Sequence, residues 1–134
     1  MLAPFLHLHG QAEEAMPLYE QAFGAVDKVV SRFKDAPPHP DHPLPEEMRE
    51  WVLHGELTLL GSRLLVSDSP DGESRPGERI TLAAVLEDPQ DVERAFELLK
   101  VGGDVFTAPA PMFFTRMFCA VKDRFGVTWH VYCG

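Results

Sequence analysis

One pattern constrains this chain more than any other: strand, helix, strand, strand, strand, written twice. In the first half, Ala3 to His9 reads as a strand and Gln11 to Phe23 as a helix. Val26 to Phe33 is a second strand. Trp51 to Leu60 and Arg63 to Ser67 follow, joined at Gly61-Ser62 over a hairpin-length connection. The second half repeats the order. Ile80 to Leu86 is a strand, and a helix opens at Asp88-Pro89 and stops at Gly102-Gly103. Asp104 to Thr107, Met112 to Val121 and Val127 to Cys133 are strands. The two helix ends, Phe23-Gly24-Ala25-Val26 and Gly102-Gly103-Asp104-Val105, lie about eighty residues apart. Identity between the halves is low, so the repeat is one of pattern. Neither half can bury its sheet alone. Two such units, each with a helix on one sheet face, enclose a concave space that is the default ligand site. The fold class expected is α+β with two βαβββ modules, about 1–70 and about 78–134, in a single domain of 134 residues.

Both helices carry their signals locally. In the first, Ala12, Ala15, Leu18, Tyr19, Ala22 and Phe23 recur at three- and four-residue steps, while Glu13, Glu14, Glu20 and Gln21 take the other face. Pro17 is tolerated best if this helix starts near Glu13 or Glu14. In the second, Asp88 is the candidate N-cap and Pro89 the first helical residue. Val92, Ala95, Phe96, Leu98 and Leu99 form its apolar side. Pro37, Pro38, Pro40, Pro43 and Pro45 crowd nine residues and exclude a helix or central strand there.

Charge narrows the partners. Against 12 Lys and Arg stand 21 Asp and Glu, a formal net charge of −9, and the basic residues are scattered singly. Such a surface repels phosphate backbones and anionic lipid, so neither nucleic acid nor a membrane is an expected partner. No run approaches the ~20 apolar residues of a membrane helix, and no secretory signal is visible. Cys119 and Cys133 have no CxxC spacing, which suits reduced thiols and a cytoplasmic location.

Several short motifs arrive in a telling order. They are Ala12-Glu13-Glu14-Ala15 through Tyr19, Ala22-Phe23-Gly24-Ala25, His54-Gly55-Glu56-Leu57 with Gly61, Leu65-Val66-Ser67-Asp68, and Asp123-Arg124-Phe125-Gly126-Val127-Thr128-Trp129. Together they span nearly the whole chain. In this order the chain resembles the glyoxalase/bleomycin-resistance/extradiol-dioxygenase superfamily, also called vicinal oxygen chelate, and within it the PhnB-like branch. The resemblance implies paired βαβββ modules, two half-barrels around a cleft, and a homodimer. It also implies either a divalent metal that acts as a Lewis acid on a chelating substrate, or a metal-free pocket that sequesters a small molecule.

The expected metal positions are poorly filled. The first-strand position falls near Pro4, and the end of the first module puts the next near Val66, with Asp68 two residues on. Thr81, Ala83 and Ala84 stand where the second module's first strand would supply a ligand. Only His130, at the superfamily's usual Glu, is a good ligand for Zn, Ni or Fe(II). His54 and Glu56 share a strand face and could join His130 in a non-standard three-ligand cluster. The plainer reading makes them polar cleft residues bonded to one another or to water. His7 and His9 share a face opposite Leu6 and Leu8, expected on the helix side or in solvent, and His39 and His42 belong to a solvated loop.

Nucleophilic chemistry finds no support, because no Ser lies in a Gly-x-Ser-x-Gly elbow. Members of this branch are often labelled demethylubiquinone methyltransferases, but the sequence has no strand–GxGxxG–helix unit for a nucleotide-like cofactor. Phe113-Phe114 stands where the branch tends to show Phe-Trp. Strand alternation then puts Phe114 in the cleft and Phe113 under the helix. The resulting expectation is a small-molecule ligand held by His54, Glu56, Asp68, Phe114 and His130, with no cofactor required. The alternative is a lyase, isomerase or dioxygenase that uses a divalent metal.

Overall fold

A computed structural model describes residues 1, 3–37, 41, 43–70, 77 and 80–134 of the chain. His39 and His42 lie outside the described residues. The chain divides into two compact units, Met1–Glu20 with Ala25–Ser74, and Gln21–Gly24 with Arg75–Gly134.

The first unit runs β1 (Phe5–Leu8), α1 (Ala12–Phe23, whose last turn is counted with the second unit), β2 (Val26–Arg32), β3 (Val52–Leu59) and β4 (Ser62–Asp68). Its sheet has the order β1-β4-β3-β2, with β1 parallel to β4 and the other pairs antiparallel. The β3–β4 loop is Leu60-Gly61, one residue earlier than expected. Both residues have positive φ, 49° and 80°, which lets a two-residue turn follow the twist of its strands. Leu57, Leu59, Leu64, Val66 and Leu8 are buried on one sheet face. Gly55 shares that face, and a Cβ there would meet Met16 Sδ of α1 at 2.9 Å, so the helix lies directly on this strand.

α1 begins at Ala12, with Ala15 N–H donating to Gln11 C=O at 2.9 Å. Pro17 therefore stands inside the helix, not in its first turn. The helix spans what its pattern predicted to within one residue, and it keeps this start despite Pro17 because a cap from elsewhere in the chain fixes it at Ala12. That cap is Asp68, at the end of β4, whose Oδ1 accepts from Ala12 N–H at 3.0 Å.

The second unit runs β5 (Leu82–Leu86), α2 (Pro89–Leu99), β6 (Asp104–Met112), β7 (Thr115–Lys122) and β8 (Thr128–Cys133), with sheet order β5-β8-β7-β6. β5 is parallel to β8, as β1 is to β4. Asp88 caps α2 as its sequence foretold: Oδ1 accepts from Gln90 N–H at 2.8 Å, and Pro89 takes the first helical position. Val92, Ala95, Phe96 and Leu99 are buried. So are Cys119, Val121, Trp129, Val131 and Cys133 on the strands.

β6 departs most from expectation. It continues past Thr107 through Pro109 and Pro111 to Met112, with register shifts on the way. Proline is tolerated here because β6 is an edge strand and its outer N–H positions have no partner to lose. Phe113 and Phe114 consequently form the β6–β7 turn rather than the start of a strand.

Candidate functional site

Strand alternation separates each sheet into a helix-covered face and an open face. In the first unit, Phe5 pairs with Leu65, Leu65 with Glu56, and Glu56 with Val29, a row across all four strands on the face away from α1. The next row along carries His7 opposite Ser67 and His54 opposite Ser31. His54 and Glu56 are therefore neighbours on the open face, as their spacing implies. His54 Nε2 lies 3.3 Å from Glu56 Oε2, and Arg63 Nε donates to Glu56 Oε1 at 2.6 Å. The Phe5 ring stacks on the His7 imidazole with centroids 4.5 Å apart, and meets the His54 ring edge-on at 6.2 Å. Ser67 Oγ is 3.5 Å from His7 Nδ1.

Asp68 is placed elsewhere. It pairs in register with Leu8 on the helix-covered face, and it is buried. Its two oxygens are spent on backbone donors, Oδ1 on Ala12 N–H and Oδ2 on Val52 N–H, each at 3.0 Å. The expectation that it joins His54 and Glu56 is corrected: the period of two turns it away, and its hydrogen bonds hold α1 and β3 to β4. His7 is exposed on the face away from α1, the solvent side of the two places expected for it. Leu6 and Leu8 face α1, so His7 belongs with His54 and Glu56. Only the pairing of β1 with β4 reveals this neighbourhood, although alternation from the two leucines carried the signal for the face. His9 sits past the strand, where its Nδ1 donates to Ser69 C=O at 3.0 Å and its ring meets Trp51 edge-on.

The second unit's open face is aromatic. His130 pairs with Ala83 and Ala120, while Tyr132 pairs with Val85 and Phe118. The Phe118 ring contacts His130 edge-on at 5.1 Å. Phe114, half-exposed in its turn, meets Phe118 at 5.6 Å and Tyr132 at 6.3 Å, both edge-on. Phe113 is fully exposed and does not pack under the helix, because turn residues escape strand alternation. Tyr132 was not singled out from sequence. Two aromatic residues on antiparallel neighbours become visible as a pair only once the register is known.

Among the described residues, no three His, Cys, Asp or Glu side chains form a group that could hold a metal ion. His54 and Glu56 share a plain hydrogen bond instead. The donors present do not fit the superfamily's metal centre: Val66 is buried beneath α1, and Ala83 and Ala84 supply no ligand at β5. No described helix is long and apolar enough to cross a membrane.

Comparison with known proteins agrees with this architecture. Residues 1–132 match the protein family described as 3-demethylubiquinone-9 3-methyltransferase. The chain belongs to that family. Protein PA1353 from Pseudomonas aeruginosa superposes with a TM-score of 0.78 at 27% identity, over 99% of this chain and 96% of that one. The Bacillus cereus PhnB protein superposes with a TM-score of 0.75 at 24% identity, over 99% and 98%. Protein YjdN from Escherichia coli K12 is 24% identical over 97% of this chain and 92% of its own length. This member of the 3-demethylubiquinone-9 3-methyltransferase family thus has the fold that the PhnB-like, vicinal oxygen chelate resemblance implies, with one four-stranded mixed sheet and a flanking helix per module.

Proposed function

We propose that this chain binds a small organic molecule against its open sheet faces, in the inter-module cleft that the family resemblance implies, without the superfamily's standard metal centre. The observation that carries the reading is the ring cluster of Phe114, Phe118, Tyr132 and His130 on one open face. Aromatic walls with a few convergent polar groups are the usual make-up of a small-molecule site. His54 and Glu56, on the other open face, supply such groups. Asp68 takes no part in the proposed contact set, because both its oxygens are already bonded. The family's methyltransferase description does not extend to this reading, since the sequence has no GxGxxG turn for a nucleotide-like methyl donor.

The same reading makes the chain a homodimer and places it in the cytoplasm. Exposed Val26 and Val29 on β2, and Val105 and Phe106 on β6, give two edge strands apolar surface for a second copy to cover. Two buried free thiols suit a reducing compartment.

A thermal-shift screen of small organic compounds, run on protein made without a His tag, tests the reading. A dose-dependent rise in Tm that is reduced in Phe114→Ala and His130→Ala supports it. No stabilising compound in a broad library counts against it. Stoichiometric Zn, Ni or Fe in the purified protein, lost on His130→Ala, overturns the metal-free part.

A further inference from the structure

We propose that His54 is the hydrogen-bond acceptor, through Nδ1, for a neutral hydroxyaromatic ligand, with Glu56 and Arg63 as positioning residues that hold it in that role. The inference deepens the binding function proposed above and rests on it.

Three connected groups lead to the assignment. A carboxylate can only accept hydrogen bonds, so the proton shared across the 3.3 Å contact between His54 Nε2 and Glu56 Oε2 sits on Nε2. In the neutral imidazole this leaves Nδ1 as a lone-pair acceptor. The other oxygen of Glu56 is taken by Arg63 Nε at 2.6 Å, which stops the carboxylate from swinging away. The sequence Arg63–Glu56–His54 is thus a chain in which each member fixes the next, the arrangement by which a carboxylate selects one imidazole tautomer. The His54 ring stays about half-exposed on the open face, so its free nitrogen can be reached.

Charge and shape then choose the ligand class. Arg63 already neutralises Glu56 locally, so a cationic ligand gains little there. An anion gains no more from the locally neutral Arg63–Glu56 pair, and the Nδ1 lone pair repels it. A neutral O–H group suits the acceptor. The Phe5 ring, edge-on to His54 at 6.2 Å and half-exposed, adds an aromatic neighbour for a flat apolar body. A phenolic hydroxyl on an aromatic ring combines the two requirements.

The test has two readouts. Long-range proton–nitrogen NMR on the ¹⁵N-labelled chain, above the imidazole titration range, reports which ring nitrogen carries the proton, and His54→Asn identifies the resonances. The wild-type protein should show the Nε2–H tautomer. In Glu56→Gln, Arg63 keeps the amide oxygen and the NH₂ group turns to Nε2, so the proton should move to Nδ1. An unchanged tautomer in Glu56→Gln, with the fold intact by circular dichroism, overturns the positioning chain. The second readout is binding of phenol against anisole, which keeps the ring and lacks the donor. Wild-type protein should prefer phenol by about ten-fold, the worth of one hydrogen bond of about 1.4 kcal/mol, and Glu56→Gln and His54→Ala should lose that preference. Equal binding of the two probes, or binding of neither, overturns the ligand class. The binding function itself falls only if the broader compound screen also finds nothing, so the two failures are distinguishable.

Discussion

The indole N–H of Trp129 donates to Asp123 Oδ2 at 2.9 Å, while Oδ1 of the same carboxylate accepts from Phe125 N–H and Val127 N–H at 2.9 and 3.0 Å. One buried side chain therefore closes the β7–β8 turn and ties it to the core of the second unit. Replacing it by alanine strands three donors. Asp123→Ala should cost about 3 kcal/mol or more in chemical denaturation, and Trp129→Phe about 1–3 kcal/mol. A double-mutant cycle on the pair should show strong coupling; additive losses would mean that the bond contributes little.

Asp68 has the corresponding task in the first unit, bridging the start of α1 and the start of β3. Asp68→Asn keeps the shape but turns one acceptor into a donor that faces a backbone N–H. A loss of about 1–3 kcal/mol is expected, with probe binding at the open face retained by the folded fraction. A stable Asp68→Asn variant that no longer binds would return Asp68 to the ligand contacts.

Arg32 grips Glu13 through both carboxylate oxygens and also donates from Nη1 to Glu50 C=O at 2.7 Å, joining α1 to β2. The bond to Arg32 holds the Glu13 carboxyl below its usual range, against a smaller opposing effect of burial. A depressed carboxyl stabilises the fold above the unfolded-state value, about pH 4.5, and the contribution disappears as pH falls through the lowered folded-state value. The Glu13 carboxylate is largely solvated, so the effect should stay under about 1 kcal/mol and shrink with salt. Denaturation of Glu13→Gln and wild type at pH 7 and near pH 3 checks the sign: the difference should be larger at the first pH than at the second.

Two glycines that end helices differ in what they require. A Cβ on Gly103 would fall on the Lys122 carbonyl oxygen, and the backbone there cannot move aside without unpairing β6 from β7. Gly24 has φ of 70° with open space around it. Gly103→Ala should cost about 1–3 kcal/mol or more by overpacking. Gly24→Ala should cost only about 1 kcal/mol, and Gly24→Asn should recover most of it, because asparagine tolerates the left-handed region. Recovery by asparagine at Gly103 as well would contradict the steric account.

Burial pushes the Cys119 thiol up to about 11, so it is protonated at neutral pH. Iodoacetamide should leave Cys119 unmodified in the native protein and label it at the rate at which the structure opens in denaturant. Rapid labelling of Cys119 in the absence of denaturant would show that the second unit is looser than its packing.

How much of this was legible in the sequence depends on how local each signal is. The Asp88-Pro89 cap, the strand order and the His54–Glu56 pair lie within a few residues of what they organise, and all could be read from spacing. The α1 cap could not, because it is Asp68, reached only when β4 lies beside β1. Nor could the neighbours of His7, although its alternation with Leu6 and Leu8 was plain, because the face opposite the helix becomes a defined site only after β1 docks. Phe113 and Phe114 were read into a strand beginning at Met112, whereas β6 runs through Pro109 and Pro111 to end there. An edge strand can carry both, and that shifts the turn onto the two phenylalanines.

The parallel pairing of β1 with β4, and of β5 with β8, also governs how the molecule can be made. β1 is made before the rest of its sheet, yet its partner follows about sixty residues later, and in each unit the last strand translated fills the slot between the first and the third. A nascent chain short of β8 therefore holds β5 without a neighbour and β7 with one side bare. Completion of each sheet is an insertion event, and until it occurs the unpaired edges are the part of the chain most open to wrong partners.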